Sequence, residues 1–113
     1  MDDTSATLSG RLLAVIERAQ LDSQCTRYRQ TSTYTVATRT ISAAAARPSH
    51  VLGQLLPLAT KAYLPRAAHY RARLAELNQA LIDLDGIPAR LTPHQQAEFS
   101  LGYYSELHRL IRF

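Results

Sequence analysis

Apolar positions recur at helical spacing along almost the whole chain, and the runs are broken at proline, glycine and clusters of serine and threonine. Leu8, Leu12, Val15, Ile16 and Ala19 form one stripe and predict a first helix from about Thr4 to Leu21. Asp22 to Thr33 is polar and reads as a loop. The stretch from Thr33 to Ala46 mixes β-branched residues with alanines; its helical surroundings predict a second helix, ended by Pro48. A third helix starts at Pro48 or Ser49 and carries Leu52, Leu55, Leu56 and Ala59, with Pro57 expected to kink or restart it. Pro65 is expected to open a fourth helix, along which Tyr70, Leu74, Leu77, Leu81 and Leu84 make a regular seam. That helix stops at Asp85–Gly86, with Gly86 suited to a left-handed cap.

The last helix carries its own start signal. Thr92 and Gln95 have the spacing of a reciprocal capping box, and Pro93 occupies the first helical position, where no donor is missed. From there Ala97, Leu101, Tyr104, His108 and Ile111 share one face, while Phe99, Tyr103 and Leu110 lie roughly opposite. A helix apolar on two sides needs two partners. The first stripe is expected in the core, and the second, Phe99, Tyr103 and Leu110 with Phe113, is expected to face a protein partner. Five helices with short connections predict an all-α fold, a compact bundle in a single domain over residues 1–113.

Composition narrows the function. The single Cys25 excludes a disulfide framework and a multi-cysteine metal site, and fits a reducing compartment. The start, MDDTSATLSG, is acidic and polar, and no apolar run approaches the ~20 residues that span a bilayer, so a cytoplasmic protein without a membrane partner is expected. Thirteen basic residues face nine acidic ones, and twelve of the thirteen are arginine. A GC-rich genome would explain the preference for arginine but not the positive balance, which suits a polyanion partner.

Arg11 and Arg18 stand seven residues apart on the first helix, and Arg66 and Arg73 have the same spacing with His69 between them. Seven residues rise roughly 10 Å along a helix, a spacing compatible with phosphates of one strand. The same residues could equally be a solvated shoulder, with Arg18–Asp22 as an i,i+4 pair. Arg27, Arg29, Arg39 and Arg47, interleaved with Tyr28 and Tyr34, could hold a single strand by charge and stacking, or belong to an ordinary loop. His50, His69, His94 and His108 have no metal-ligand spacing, and no nucleophile–base grouping or glycine-rich phosphate loop is visible. No cofactor, no metal and no enzymatic activity are expected.

Three motifs carry a resemblance. Leu8, Gly10, Arg11, Leu12, Ala14, Glu17, Ala19 and Gln20 form the first. The second is the small-residue run from Ala43 to Pro48 followed by Val51, Leu52, Leu55, Leu56, Leu58 and Ala59. The third is Leu91, Thr92, Gln95 and Gln96 with Phe99, Leu101, Gly102, Tyr103 and Tyr104. In this order they resemble the C-terminal region of the large subunit of subtype I-C CRISPR Cascade complexes. In that family the region is also made as a separate small subunit from an internal start, and a chain beginning at Met1 suits that product. The resemblance implies a non-catalytic subunit packed beside backbone and large subunits and further copies of itself. It also implies contact with the DNA strands of the R-loop and with guide RNA, nuclease activity belonging to a recruited partner. A free-standing helical adaptor binding a protein through Phe99, Tyr103 and Leu110 is the alternative.

Overall fold

In the computed structural model the described residues are 3–24 and 36–111. They form five α-helices: α1 (Ser5–Gln24), α2 (Val36–Ala46), α3 (Pro48–Leu58), α4 (Arg71–Asp83) and α5 (Pro93–Ile111). Among the described residues there is no strand, so context prevails over β-propensity from Val36 onward. Among the described residues no helix is long and apolar enough to cross a membrane. Arg27, Arg29, Phe113 and most of the expected loop lie outside the described residues, and Arg39 is placed only by its backbone in α2.

The first helix is the centre of the bundle. Leu12, Leu13, Ala14, Val15 and Ile16 are consecutive and all essentially inaccessible, so α1 is buried on every side rather than along one stripe. It packs most extensively on α5, then on α4, with α2, α3 and the turn after α3 closing its remaining sides. Thr4 caps it, accepting from the backbone N–H of Thr7 at 3.2 Å. Its end lies beyond the expected Leu21, which keeps Asp22 on the helix and within reach of Tyr70 in the turn just before α4.

Two glycines permit the α1–α5 contact. A methyl at Gly10 would lie 2.9 Å from the backbone nitrogen of Tyr103, and one at Gly102 would lie 2.9 Å from the carbonyl carbon of Thr7. The backbones therefore touch where any side chain would hold them apart. The capping box of α5 forms as expected: Thr92 N–H donates to Gln95 Oε1 at 2.9 Å, and Gln95 N–H donates to Thr92 Oγ1 at 3.2 Å.

Three expectations are corrected. Helix α3 does not restart at Pro57: it contains the proline and passes, with helical angles at Leu58 and Ala59, directly into a wide π turn, Ala59–Tyr63. Pro57 is exposed, and so is Gly53, whose carbonyl would otherwise accept from position 57 and can be hydrated instead. The fourth helix does not open at Pro65: Ala67 leaves the helical region (φ −132°, ψ 54°), a short 3-10 turn spans Ala68–Tyr70, and α4 begins only at Arg71. Burial of Leu64 and Ala67 and the bond from Tyr70 to Asp22 hold that geometry. The seam is buried at Tyr70, Leu74, Leu77 and Leu81, but Leu84 is exposed. At this end Gly86 N–H donates to Leu81 O at 2.6 Å and Asp85 N–H to Ile82 O at 3.1 Å, a Schellman motif. Asp85 takes the left-handed position (φ 69°), and Gly86 follows with φ 89°.

Candidate nucleic-acid and partner-binding surfaces

The four arginines of the two expected shoulders have different fates. Helix α5 places Glu106 at zero exposure, where a lone carboxylate would be strongly disfavoured. Arg73 from α4 grips it in a two-bond fork along one edge of its guanidinium, Nε to Oε2 at 2.8 Å and Nη2 to Oε1 at 2.7 Å. Arg11 from α1 adds Nη1 to Oε1 at 3.0 Å. The outer edges of these guanidiniums meet Asp3 at 3.1 Å and Glu76 at 3.4 Å. Burial pushes the Glu106 carboxyl up, but the bonds and charge of Arg73, with Arg11 and the nearby charge of Arg109, outweigh it and hold the group below its ordinary value. The same bonds raise the Arg73 guanidinium. Arg11 and Arg73 are thus brought together as an internal ionic cluster joining three helices.

Arg18 stays on the rim. Its Nη2 lies 3.6 Å from Asp22, while its Nε is buried without a partner. Asp22 also accepts from the Tyr70 hydroxyl at 2.6 Å and lies 3.3 Å from His69 Nε2. Burial and then the Asp22 bond raise the Tyr70 phenol above its ordinary value. These groups, with Arg73 and Arg109, line a cleft of about 460 Å³. Arg66 is exposed in the turn before α4, so it does not share a helix with Arg73 and the second matched pair does not form.

Among the described residues Arg47, Lys61, Arg66, Arg71, Arg90 and Arg109 are exposed and make no ion pair. Sequence reasoning singled out only Arg47 and Arg66 from this group. A signal for the others existed: Lys61, Arg71 and Arg90 have no carboxylate three or four residues away on either side.

The two apolar faces of α5 are reversed relative to expectation. Phe99 (0%) and Tyr103 (3%) are core residues packed on α1, and the Tyr103 hydroxyl donates to the buried Glu17 carboxylate. Leu110 is half-buried at the cleft. Phe99 and Tyr103 therefore cannot present an outer surface while the fold is intact. The exposed stripe is Leu101 (68%) and Tyr104 (60%), flanked by Ala97 and His108. Beside Tyr104 a groove of about 370 Å³ runs between α2 and α5, lined by Ile41, Ala45, Gln96, Ala97 and Ser100.

No group of three or more His, Cys, Asp or Glu gathers among the described residues in a way that could hold a metal ion. What the geometry offers is charge and apolar surface: free cations on one hand, an uncovered tyrosine–leucine stripe on the other. None of the curated proteins matches the chain. Over residues 2–111, which include all three sequence motifs, the chain matches the family described as CRISPR-associated protein (Cas_Csd1), and it belongs to that family.

Proposed function

We propose that this protein is a non-catalytic, small-subunit-like component of a type I, I-C-like, RNA-guided interference complex, and that it steadies the opened DNA strands by sequence-independent contacts to their backbones. Family membership over nearly the whole chain carries this reading. The distribution of charge supports it, since among the described side chains six cations remain exposed and outside any ion pair after the internal pairs are formed. Guide–target pairing is a nearly balanced exchange for the DNA duplex, so a few added phosphate contacts are enough to tip it. The subunit's share of the work is then electrostatic, while specificity stays with base pairing. Leu101 and Tyr104 are the stripe by which it would pack on a neighbouring subunit of the complex, an assignment that replaces Phe99 and Tyr103 on grounds of exposure.

The reading is tested by assembling the complex with and without this chain and measuring affinity for target duplex as salt is varied. Addition of the chain should tighten binding and steepen the salt dependence by roughly 0.7–0.9 for each phosphate contact. Equal affinity and equal slope in the two preparations would refute it.

A further inference from the structure

Two backbone hydrogen bonds lock the link between α4 and α5 against the junction of α2 and α3: Ser49 N–H donates to Pro88 O at 3.0 Å, and Leu91 N–H donates to Ala46 O at 3.4 Å. The two segments run antiparallel, and the register sets residue 47 opposite residue 90. Both positions are arginine, both are exposed, and neither makes an ion pair with any described residue. Like charges set opposite each other repel. No carboxylate lies within four residues of either arginine. Two arginines held opposite each other by the backbone, with no carboxylate near them in sequence, are an unbalanced arrangement for the chain by itself, and an anion bridging the two would balance it. Arginine's planar fork suits an oxyanion with two acceptor edges.

We propose that Arg47 and Arg90 form a clamp for one phosphodiester of a bound nucleic-acid strand. The proposal rests on the nucleic-acid reading above and deepens it by assigning a seat that neither arginine would provide alone. The pinned backbone is what distinguishes it from dispersed surface charge. The register is set by main-chain bonds, so the two positions stand opposite each other before the strand arrives, and only the side chains need ordering on binding.

The experiment uses the full 113-residue chain and a fluorescent single-stranded DNA, with the RNA of the same sequence as a second arm, read by anisotropy over a salt series. Arg47→Ala, Arg90→Ala and the double variant are compared with Arg66→Ala/Arg71→Ala, after circular dichroism has shown each to be folded. A clamp on one phosphate predicts that either single variant loses most of what the double variant loses, and that the slope of log affinity on log salt flattens by roughly 0.7 in the double variant, not by the doubled value that two separate phosphate contacts would give. Similar losses with DNA and RNA identify the phosphodiester as the ligand; a loss confined to one sugar type would overturn a purely backbone clamp. Strictly additive single losses, or a loss no larger than in Arg66→Ala/Arg71→Ala, would show dispersed charge and overturn the clamp while leaving the nucleic-acid reading in place. Wild-type-like binding by the Arg47/Arg90 double variant, with weakening in Arg66→Ala/Arg71→Ala, would do the same. No binding by the unaltered chain at low salt would overturn both.

Discussion

Replacing Glu106 by glutamine tests whether an ionic cluster holds three helices of this bundle together. The substitution keeps the volume and one acceptor but removes the charge that faces Arg11 and Arg73 at 2.7–3.0 Å. Breaking a buried ion pair by removing one partner costs about 3–5 kcal/mol, because the remaining charge is left uncompensated. Here the remaining side chains are 20% exposed and keep Asp3 and Glu76, so some of the loss is recovered through solvent and these outer pairs. The lower end, about 3 kcal/mol, is expected. With a urea dependence of about 1.5 kcal/mol/M, usual for a small domain, the unfolding midpoint should fall by about 2 M. This is a large share of the stability of any domain of this size.

The pH dependence gives a second readout. The folded-state pKa of Glu106 lies below its ordinary value, so its contribution is fully present above the unfolded-state pKa and is lost as the pH falls through the folded-state one. The native chain should therefore hold this part of its stability at neutral and mildly acidic pH and lose it only in strong acid, and Glu106→Gln should lack that acid-side loss. A midpoint within about 0.3 M of wild type, together with an unchanged acid limb, would refute the claim that the cluster is stabilising.

Three further outcomes follow from the packing. Gly10→Ala and Gly102→Ala should each cost about 2–3 kcal/mol in urea unfolding, because the added methyl meets backbone that cannot move aside; Gly53→Ala, with nothing within 4 Å, should instead stabilise by about 0.5–1 kcal/mol. Phe99→Ala should destabilise by about 3–5 kcal/mol, whereas Leu101→Ser with Tyr104→Ser should change stability by less than about 1 kcal/mol yet block co-purification with the complex. Asp85→Gly should raise the melting temperature slightly, by relieving a left-handed residue worth about 0.5–1 kcal/mol, and a decrease would count against the cap geometry.

Much of the helix pattern was legible because the signals are local. The Thr92–Gln95 box needs only its own four residues, and the Tyr70–Leu81 seam is a periodicity that neighbours in sequence display. The faces of α5 were harder to read, because both carry apolar residues and periodicity gives no sign of which turns inward. The face that is buried also carries Glu106, and a glutamate ordinarily marks an outer face. Its compensation comes from Arg11 and Arg73, which are 95 and 33 residues away, so no local pattern reveals it. Gly102 was the available clue: a glycine inside a helix costs about 1 kcal/mol relative to alanine and calls for a close packing partner, here the Thr7 carbonyl. The start of α4 was misplaced for a related reason. The sequence after Pro65 favours helix, but the anchoring of Tyr70 on Asp22 and the burial of Ala67 impose a turn.

The same long-range pairing changes what the net charge means. Of the nine basic residues whose side chains are described, three, Arg11, Arg18 and Arg73, are set against four acids, Asp3, Asp22, Glu76 and Glu106, while a fifth acid, Glu17, is buried and accepts from Tyr103. The six remaining cations are all exposed; of the described acids Asp3, Glu76, Asp83 and Asp85 are exposed too and Asp22 and Glu98 are half-buried, whereas Glu17 and Glu106 are buried and no described basic side chain is. Folding therefore withdraws more negative than positive charge from the surface, and the outside is more basic, relative to its number of charges, than the composition suggests. Arginine serves two separate purposes here. Where its fork meets a buried carboxylate it joins helices, and that use is incompatible with reaching for phosphate. Where it is unpaired, at Arg47, Arg66, Arg71, Arg90 and Arg109, it leaves a field for a polyanion to satisfy. The spacing of arginines along a helix, read from sequence, does not separate these uses; the position of the nearest carboxylate in space does.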